Sequence, residues 1–500
     1  MKNNRTFFFF PAIIVLAFLL RIYRLGLYDL WFDEVLCAFQ RFDLKNILNG
    51  RILDSNPPLY FIILHFFTPQ KASEFILRLP SAIFGTLTVL ALYGFAKRFF
   101  DGKTALISGF LLAISPFHIY YSQEVKMYSL FILFSFLSVS FLILSIREDK
   151  YFFWAGFIIS STLNLYTHYY AILVTSVEII TFIIAILGSG RSPDLPFTKK
   201  TIKNCIASNV LILLFFSPWI PIMLREHFFK TAGFVTTWIP KPTLKTFFYT
   251  FKNFAVGFSS TRWNYLIAAI IFGFLLILGF FELYRKKVLF FFIVPFFFIP
   301  ILTLFLVSQY RPIYLDRYLS FLIPVFCLIV SLGMSKFKPG SVAMLLLLIT
   351  LFSVSGYARL YENLPYLNQA PGEHERIPIK PAVKYIEDNF HEGDIVGHSC
   401  RSTLLSFEYY SGRKQHFLAV NNFEKYPQGS AWNHSSLLPE LVPDAIKGAK
   451  RIWLVLSWWD PLPSLDPISQ ELKNWMDKNY KQVSSKNFKG IQLYLYENIP

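Results

Sequence analysis

Asp33 and Glu34 stand side by side in the stretch LYDLWFDEVLCAF, residues 27–39, just past an oily N-terminal run. Two carboxylates set among aromatic and aliphatic residues suit general-base work, because an acceptor hydroxyl is a poor nucleophile until a base takes its proton. They also suit a solvated helix start, since acids favour a first turn. Other polar patches follow. Asp54 and Asn56 lie in LDSNPPLYF (53–61), and Glu124 and Lys126 in SPFHIYYSQEVKMYSL (115–130). His168 and Tyr169 lie in LYTHYYA (165–171), and Arg311, Asp316, Arg317 and Tyr318 in SQYRPIYLDRYLSFLIP (308–324). Lys126, Arg311 and Arg317 are candidates to hold a phosphate. Each patch has a plainer alternative. Glu124 and Lys126 could be an interfacial ion pair, although two positions apart they face each other poorly on a helix. His168 could be a satisfied histidine of an aromatic belt, and the arginines could anchor helix ends by snorkelling, as is more usual for Arg21 and Arg24.

The elements that must position these residues are membrane helices. The chain has 500 residues, of which 54% are hydrophobic and only 16% charged; soluble proteins average about a quarter charged residues. Long apolar runs recur through the first 357 positions, which reads as a polytopic helical membrane protein. The net charge of +17 then belongs to cytoplasmic loops that hold the topology, not to a nucleic-acid surface. Four cysteines, Cys37, Cys205, Cys327 and Cys400, show no metal-ligand spacing and imply no disulfide framework. No small-residue cleavage site follows the N-terminal run, so it reads as an uncleaved first helix.

Eleven segments are candidate spans: near 6–24, 78–97, 104–121, 126–146, 151–167, 168–187, 204–224, 263–283, 288–308, 316–334 and 341–357. Lys2 and Arg5 place the N-terminus inside, and the basic loops 97–103, 191–203, 283–287 and 335–338 fall on the same side, together with the neutral REDK at 147–150. The apolar stretch 56–67 is too short to span and suits an interfacial helix, so residues 25–77 form one long outer loop. This topology gathers every polar patch above on the outer face, an active-site signature.

Residues 1–357 thus form a transmembrane domain. From 358 onward charges, Pro and Gly return, and helical and strand patterns alternate, implying a small extracytoplasmic α/β domain at 358–500. KPAVKYIEDNF, STLLSFEYYSG and QELKNWMDKNY read as helices; DIVGHSC, RIWLVLSWW and GIQLYLYEN read as strands.

In order along the chain, these stretches resemble the GT-C glycosyltransferases that use a polyprenyl-phosphate sugar donor, above all the protein O-mannosyltransferases and the aminoarabinose transferase-like enzymes. WFDEV resembles the acidic motif of their first outer loop, and DSNPPL their D-x-H-P-P-L pattern. LRLPSAIFGTLTVLALYGFAKRFF and SPFHIYYSQEVKMYSL resemble the helices and second outer loop that follow. Asn56 stands where the family usually has His, and Lys126 where a related QEAR pattern has Arg. The resemblance covers about residues 20–180. It implies a GT-C fold of helices with its site on the outer leaflet, and an inverting transfer of a sugar from a polyprenyl-phosphate donor to a hydroxyl of a protein, lipid or glycan acceptor. Asp33 is then the candidate base, Glu34 and Glu124 its companions, and Asp54, Asn56, His168, Tyr169 and Tyr318 the candidate substrate contacts. No cofactor is required by any motif; His168, Asp33 and Glu124 could meet around a divalent metal, but no spacing demands it. The rival readings are a transporter or flippase of lipid-linked sugars, which would carry mid-membrane polar residues and inverted repeats, and a non-catalytic membrane assembly subunit.

Overall fold

The computed structural model describes residues 4–51, 56–189, 197–225, 239–258, 262–361, 377–411, 416–420, 440–441, 449–457 and 467–498. Helix α1 (Asn4–Ile22) opens a bundle, and three short helices, α2 (Phe32–Gln40), α3 (Leu44–Leu48) and α4 (Leu59–Phe67), fill the long connection that follows. The bundle continues with α5 (Glu74–Phe99), α6 (Gly102–Ile114), α7 (Pro116–Ser122), α8 (Tyr128–Glu148), α9 (Tyr151–Leu165) and α10 (Ala171–Ser189). Then come α11 (Lys199–Phe216), α12 (Ile220–Leu224), α13 (Leu244–Val256), α14 (Arg262–Tyr284), α15 (Lys287–Val307), a 3-10 segment (Asp316–Leu322), α16 (Ile323–Met334) and α17 (Pro339–Tyr361).

Among the described residues, seven helical segments are long and apolar enough to cross a membrane, and the pair α6–α7, bent by 59°, makes an eighth. The bend has a local cause. Ser115 precedes Pro116 and is therefore held extended, and its hydroxyl caps α7 by accepting the His118 N–H. Three shorter apolar helices, Phe9–Ile22, Tyr151–Leu165 and Ala171–Leu187, occupy the remaining segments expected to span. A count of eleven therefore needs those three short helices in addition to the eight. The stretch 56–67 forms only the nine-residue α4, as its length predicts.

The basic loops meet at one end of the bundle. Arg98 and Lys150 both pair with Glu148, Lys200 pairs with Asp149, and Lys336 with Glu282. Lys103 donates to the carbonyls of Ser335 and Phe337 at 2.8 and 2.7 Å. Glycines set the closest helix approach: a Cβ on Gly279 of α14 would lie 2.0 Å from the Ile329 carbonyl, and one on Gly333 of α16 would lie 2.1 Å from that of Leu275. Small residues let the two backbones touch where apolar burial alone gives no drive to associate.

Among the described residues, the rest of the chain builds a six-stranded sheet. Its strands are β1 (Ile395–His398), β2 (His416–Val420), β3 (Glu440–Leu441), β4 (Arg451–Ser457), β5 (Tyr480–Phe488) and β6 (Ile491–Asn498), in the order β3-β2-β1-β4-β6-β5. The first four pair in parallel, whereas β6 and β5 run antiparallel. Helices α18 (Ile379–Asn389) and α19 (Arg401–Ser411) cover one face, packing on Trp453 and Val455; α20 (Pro467–Asn479) covers the other through Leu472 and Met476, against Ile452, Leu454 and Leu456. Burial on both faces explains the unbroken apolar run of β4. All six foreseen elements of this region are present; β2, β3 and β5 were not foreseen. Among the described strands, β3 and the largely exposed β5, which carries Lys481 and Lys486, lie at the edges.

Candidate active site

Glu34 and Arg78 fix the helix that carries Asp33. Arg78, near the start of α5, donates from Nε and Nη2 to the two carboxylate oxygens of Glu34 at 2.8 and 2.7 Å. Its remaining donors go to the carbonyls of Leu25, Tyr28 and Asp29. Glu34 also accepts the Val125 N–H at 2.8 Å and reaches back to the Trp31 N–H at the start of α2. Both side chains are 1% exposed. A buried ion pair offsets its desolvation only when its hydrogen-bonding capacity is filled, and here both carboxylate oxygens are occupied by protein donors. Glu34 therefore ties α2, α5 and the segment after α7 together, and its geometry is that of a positioning group.

Asp33 is the neighbouring residue on α2, about 100° around the helix, and turns another way. Its side chain keeps 24% exposure, and its Oδ2 lies 3.6 Å from Arg317 Nη1 and 3.9 Å from Lys126 Nζ. Those two cations are almost buried. Lys126 is held through its backbone: its carbonyl accepts from Ser81, which in turn bonds Tyr60 of α4 at 2.8 Å. Glu124 is buried two residues away. Arg317 is aimed by its neighbour. The Asp316 carboxylate is held by Thr250 and Asn253 of α13, both at 2.5 Å, which turns the next side chain toward α2. Asp316 thus binds α13 and leaves Arg317 to the site. Arg311 is exposed beyond α15, close enough to interact electrostatically with the Tyr170 hydroxyl; among the described residues no ion pair links it to Asp33.

His168 is buried and stacks on Phe131, with centroids 4.9 Å apart. Its Nδ1 accepts the Tyr170 N–H at 3.1 Å. Tyr170 stacks on Tyr318 at 4.3 Å, and Arg317 lies 5.5 Å from the Tyr318 ring. These rings form an aromatic wall beside the Asp33 cluster. Tyr169 accepts from Trp219 Nε1 at 3.3 Å. Asn56 is half-buried ahead of the buried Pro57 and Pro58, and Asp54 lies outside the described residues. Among the described residues no three His, Cys, Asp or Glu side chains are placed to share a metal, so His168, Asp33 and Glu124 do not form such a group.

Two residues, Arg78 and Gln123, escaped the sequence reading, and Arg21 takes a part other than the one expected. Arg78 sits inside an apolar helix and carries no motif of its own. Arg21 is no interfacial anchor: it is fully buried, donates to the carbonyls of Ala17, Leu112 and Ala113, and lies 2.6 Å from His118 Nδ1. Gln123 gives its amide to the carbonyls of Leu20, Arg21 and Tyr23, closing the end of α1. Both serve backbone carbonyls that helix ends leave open.

The whole chain superposes on ArnT from Cupriavidus metallidurans in the apo state, covering 99% of this chain and 98% of that one with a TM-score of 0.69 and 10% identity. The fold is GT-C. The GT-C likeness extends to ArnT bound to undecaprenyl phosphate (TM-score 0.63, 11% identity, 99% and 98% coverage). It extends also to the archaeal oligosaccharyltransferase AglB from Archaeoglobus fulgidus in complex with an inhibitory peptide and a dolichol-phosphate (TM-score 0.52, 12% identity, 89% of this chain and 69% of that one). Within this chain, residues 55–222 match the family described as dolichyl-phosphate-mannose-protein mannosyltransferase. The resemblance seen in the sequence motifs is thus matched by fold and by family. No curated protein matches the chain by sequence.

Proposed function

We propose that the protein is a membrane glycosyltransferase that moves a sugar from a polyprenyl-phosphate donor to an acceptor hydroxyl on the outer face of the membrane. The observation that carries this reading is Asp33, partly exposed, beside the near-buried cations Lys126 and Arg317. The GT-C relatives solved with undecaprenyl phosphate and with dolichol-phosphate support the donor class.

In the proposed step the donor phosphate enters beside Asp33 and takes over Lys126 and Arg317 from it, leaving the carboxylate to the acceptor. Asp33 removes the acceptor proton as the oxygen forms a bond to the sugar's anomeric carbon. The bond from that carbon to the phosphate oxygen breaks on the opposite side, which inverts the centre. The leaving polyprenyl phosphate gains negative charge, and cations fixed in a water-poor site stabilise that charge strongly. In this reading Arg311, exposed near the aromatic wall, adds positive charge for the donor phosphate. Half-buried Tyr318 offers its ring to the sugar, buried His168 backs that wall, and Glu34 holds Asp33 in place.

Purified protein supplied with a radiolabelled polyprenyl-phosphate sugar and a set of hydroxyl acceptors is expected to release polyprenyl phosphate and label an acceptor with inverted configuration. Movement of the lipid between leaflets without transfer would favour the transporter reading and sink this one.

A further inference from the structure

The segment that leads into α2 is gripped from the sheet region. Leu30 is fully buried, so its N–H needs a partner. The partner is the Tyr410 hydroxyl of α19, which accepts that N–H at 2.7 Å and donates to Glu74 at 3.0 Å. Lys380, in the first turn of α18, lies 2.5 Å from the same Glu74 oxygen and 3.7 Å from Asp29. Its backbone N–H donates to the other oxygen of Asp29 at 2.8 Å, so Asp29 caps α18 across the interface. Two more residues of α19 reinforce the grip: Leu405 is buried among Leu30, Val35 and Leu36, and Tyr409 meets Phe39 edge-on at 5.4 Å. Arg78 holds the same segment from the bundle through the carbonyls of Tyr28 and Asp29.

We propose that the sheet region completes the active centre: Tyr410 and Lys380 are positioning residues that lock Asp29 and Leu30 and thereby aim the Asp33 carboxylate three residues on. The inference rests on the reading of Asp33 as the base. Its logic is geometric. Trp31 is the residue that caps α2, so a fixed Leu30 N–H fixes the helix entry, and the orientation of a residue in the first turn follows from the entry. Burial pushes the Tyr410 phenol up, which keeps its proton available for Glu74 while its oxygen accepts from Leu30. Across this contact Asp29 and Glu74 on one side face Lys380 on the other.

The test uses the full-length protein in a bilayer disc. Tyr410→Phe removes one oxygen and keeps the ring. Its kcat for sugar transfer is expected to fall about 10- to 100-fold, the scale of a small misplacement of a reacting group, with KM for the lipid donor unchanged. Backbone amides at 30–36 should exchange faster with deuterium. Lys380→Met should behave likewise, and Lys380→Arg should restore most of kcat. A Tyr410→Phe protein with wild-type kcat, or with unaltered exchange at 30–36, overturns the inference, even if its melting temperature drops. Asp33→Asn is assayed in parallel. If that variant is inactive while Tyr410→Phe is normal, only the positioning role fails; if Asp33→Asn is active, the base assignment fails, and the exchange data still judge the strut.

Discussion

Arg317 and Asp33, from the two far ends of the helical bundle's sequence, meet with Nη1 and Oδ2 3.6 Å apart. One partner sits on a short helix that buries its neighbour Glu34, the other on a 3-10 turn that buries its neighbour Asp316. In each case an anchored acid one residue away sets the direction of the side chain that faces the site.

Asp33→Asn should leave the fold intact and lower sugar transfer by about 100- to 10,000-fold, the usual worth of a general base. The assay is release of polyprenyl phosphate by purified variant, with thermal unfolding run alongside. Wild-type turnover would remove Asp33 from the base role.

Arg317→Ala should act on the donor. Loss of a preorganised contact to developing charge predicts a fall of about 100-fold in kcat/KM for the lipid donor, and Arg317→Lys should recover part of it as a point charge without the fork. Kinetics indistinguishable from wild type would mean that the guanidinium only anchors a helix end.

Glu34→Gln and Arg78→Met each break a buried, fully bonded pair and should each cost about 3–5 kcal/mol. Because the two residues share one interaction, the double variant should cost much less than the sum. Unfolding in detergent measures all three; additive losses would show that the pair is not a unit.

His398 predicts a dependence on acidity. Burial, and then the neighbouring His416 with its Nδ1 2.9 Å away, hold His398 well below its ordinary value of 6.5. The unfolded chain therefore binds a proton that the fold refuses. The contribution of His398 is complete above about pH 6.5 and is lost as pH falls further, at roughly 1.4 kcal/mol per unit. Melting of the sheet region followed from pH 8 to 5 should show this slope, and His398→Gln should flatten it; an unchanged slope would assign the acid sensitivity elsewhere.

Much of this arrangement was legible in the residues. Apolar runs located the helices, because twenty oily residues have few other uses. The charge of the loops grouped Asp33, Lys126, His168 and Arg317 before any coordinates did, and the bundle brings them together. What stayed hidden has a common cause. Arg78 and Arg21 lie inside helices whose neighbours are apolar, and only the tertiary fold reveals the carbonyls and carboxylates they serve. Tyr410 reads as one more aromatic of a helix until Leu30 is placed beneath it. Strand β5, YKQVSSKNF, is an edge with little to bury, so its sequence lacks the apolar alternation that announces a strand. Arg311 and Arg317 look equivalent on paper, yet the turn at Asp316 sends one inward and leaves the other in the open.

The β5 border of the sheet is a poor template. It displays Lys481 and Lys486 along a largely exposed strand. Lysines on such a border repel a second strand, so two copies of this chain are kept from pairing edge to edge through β5.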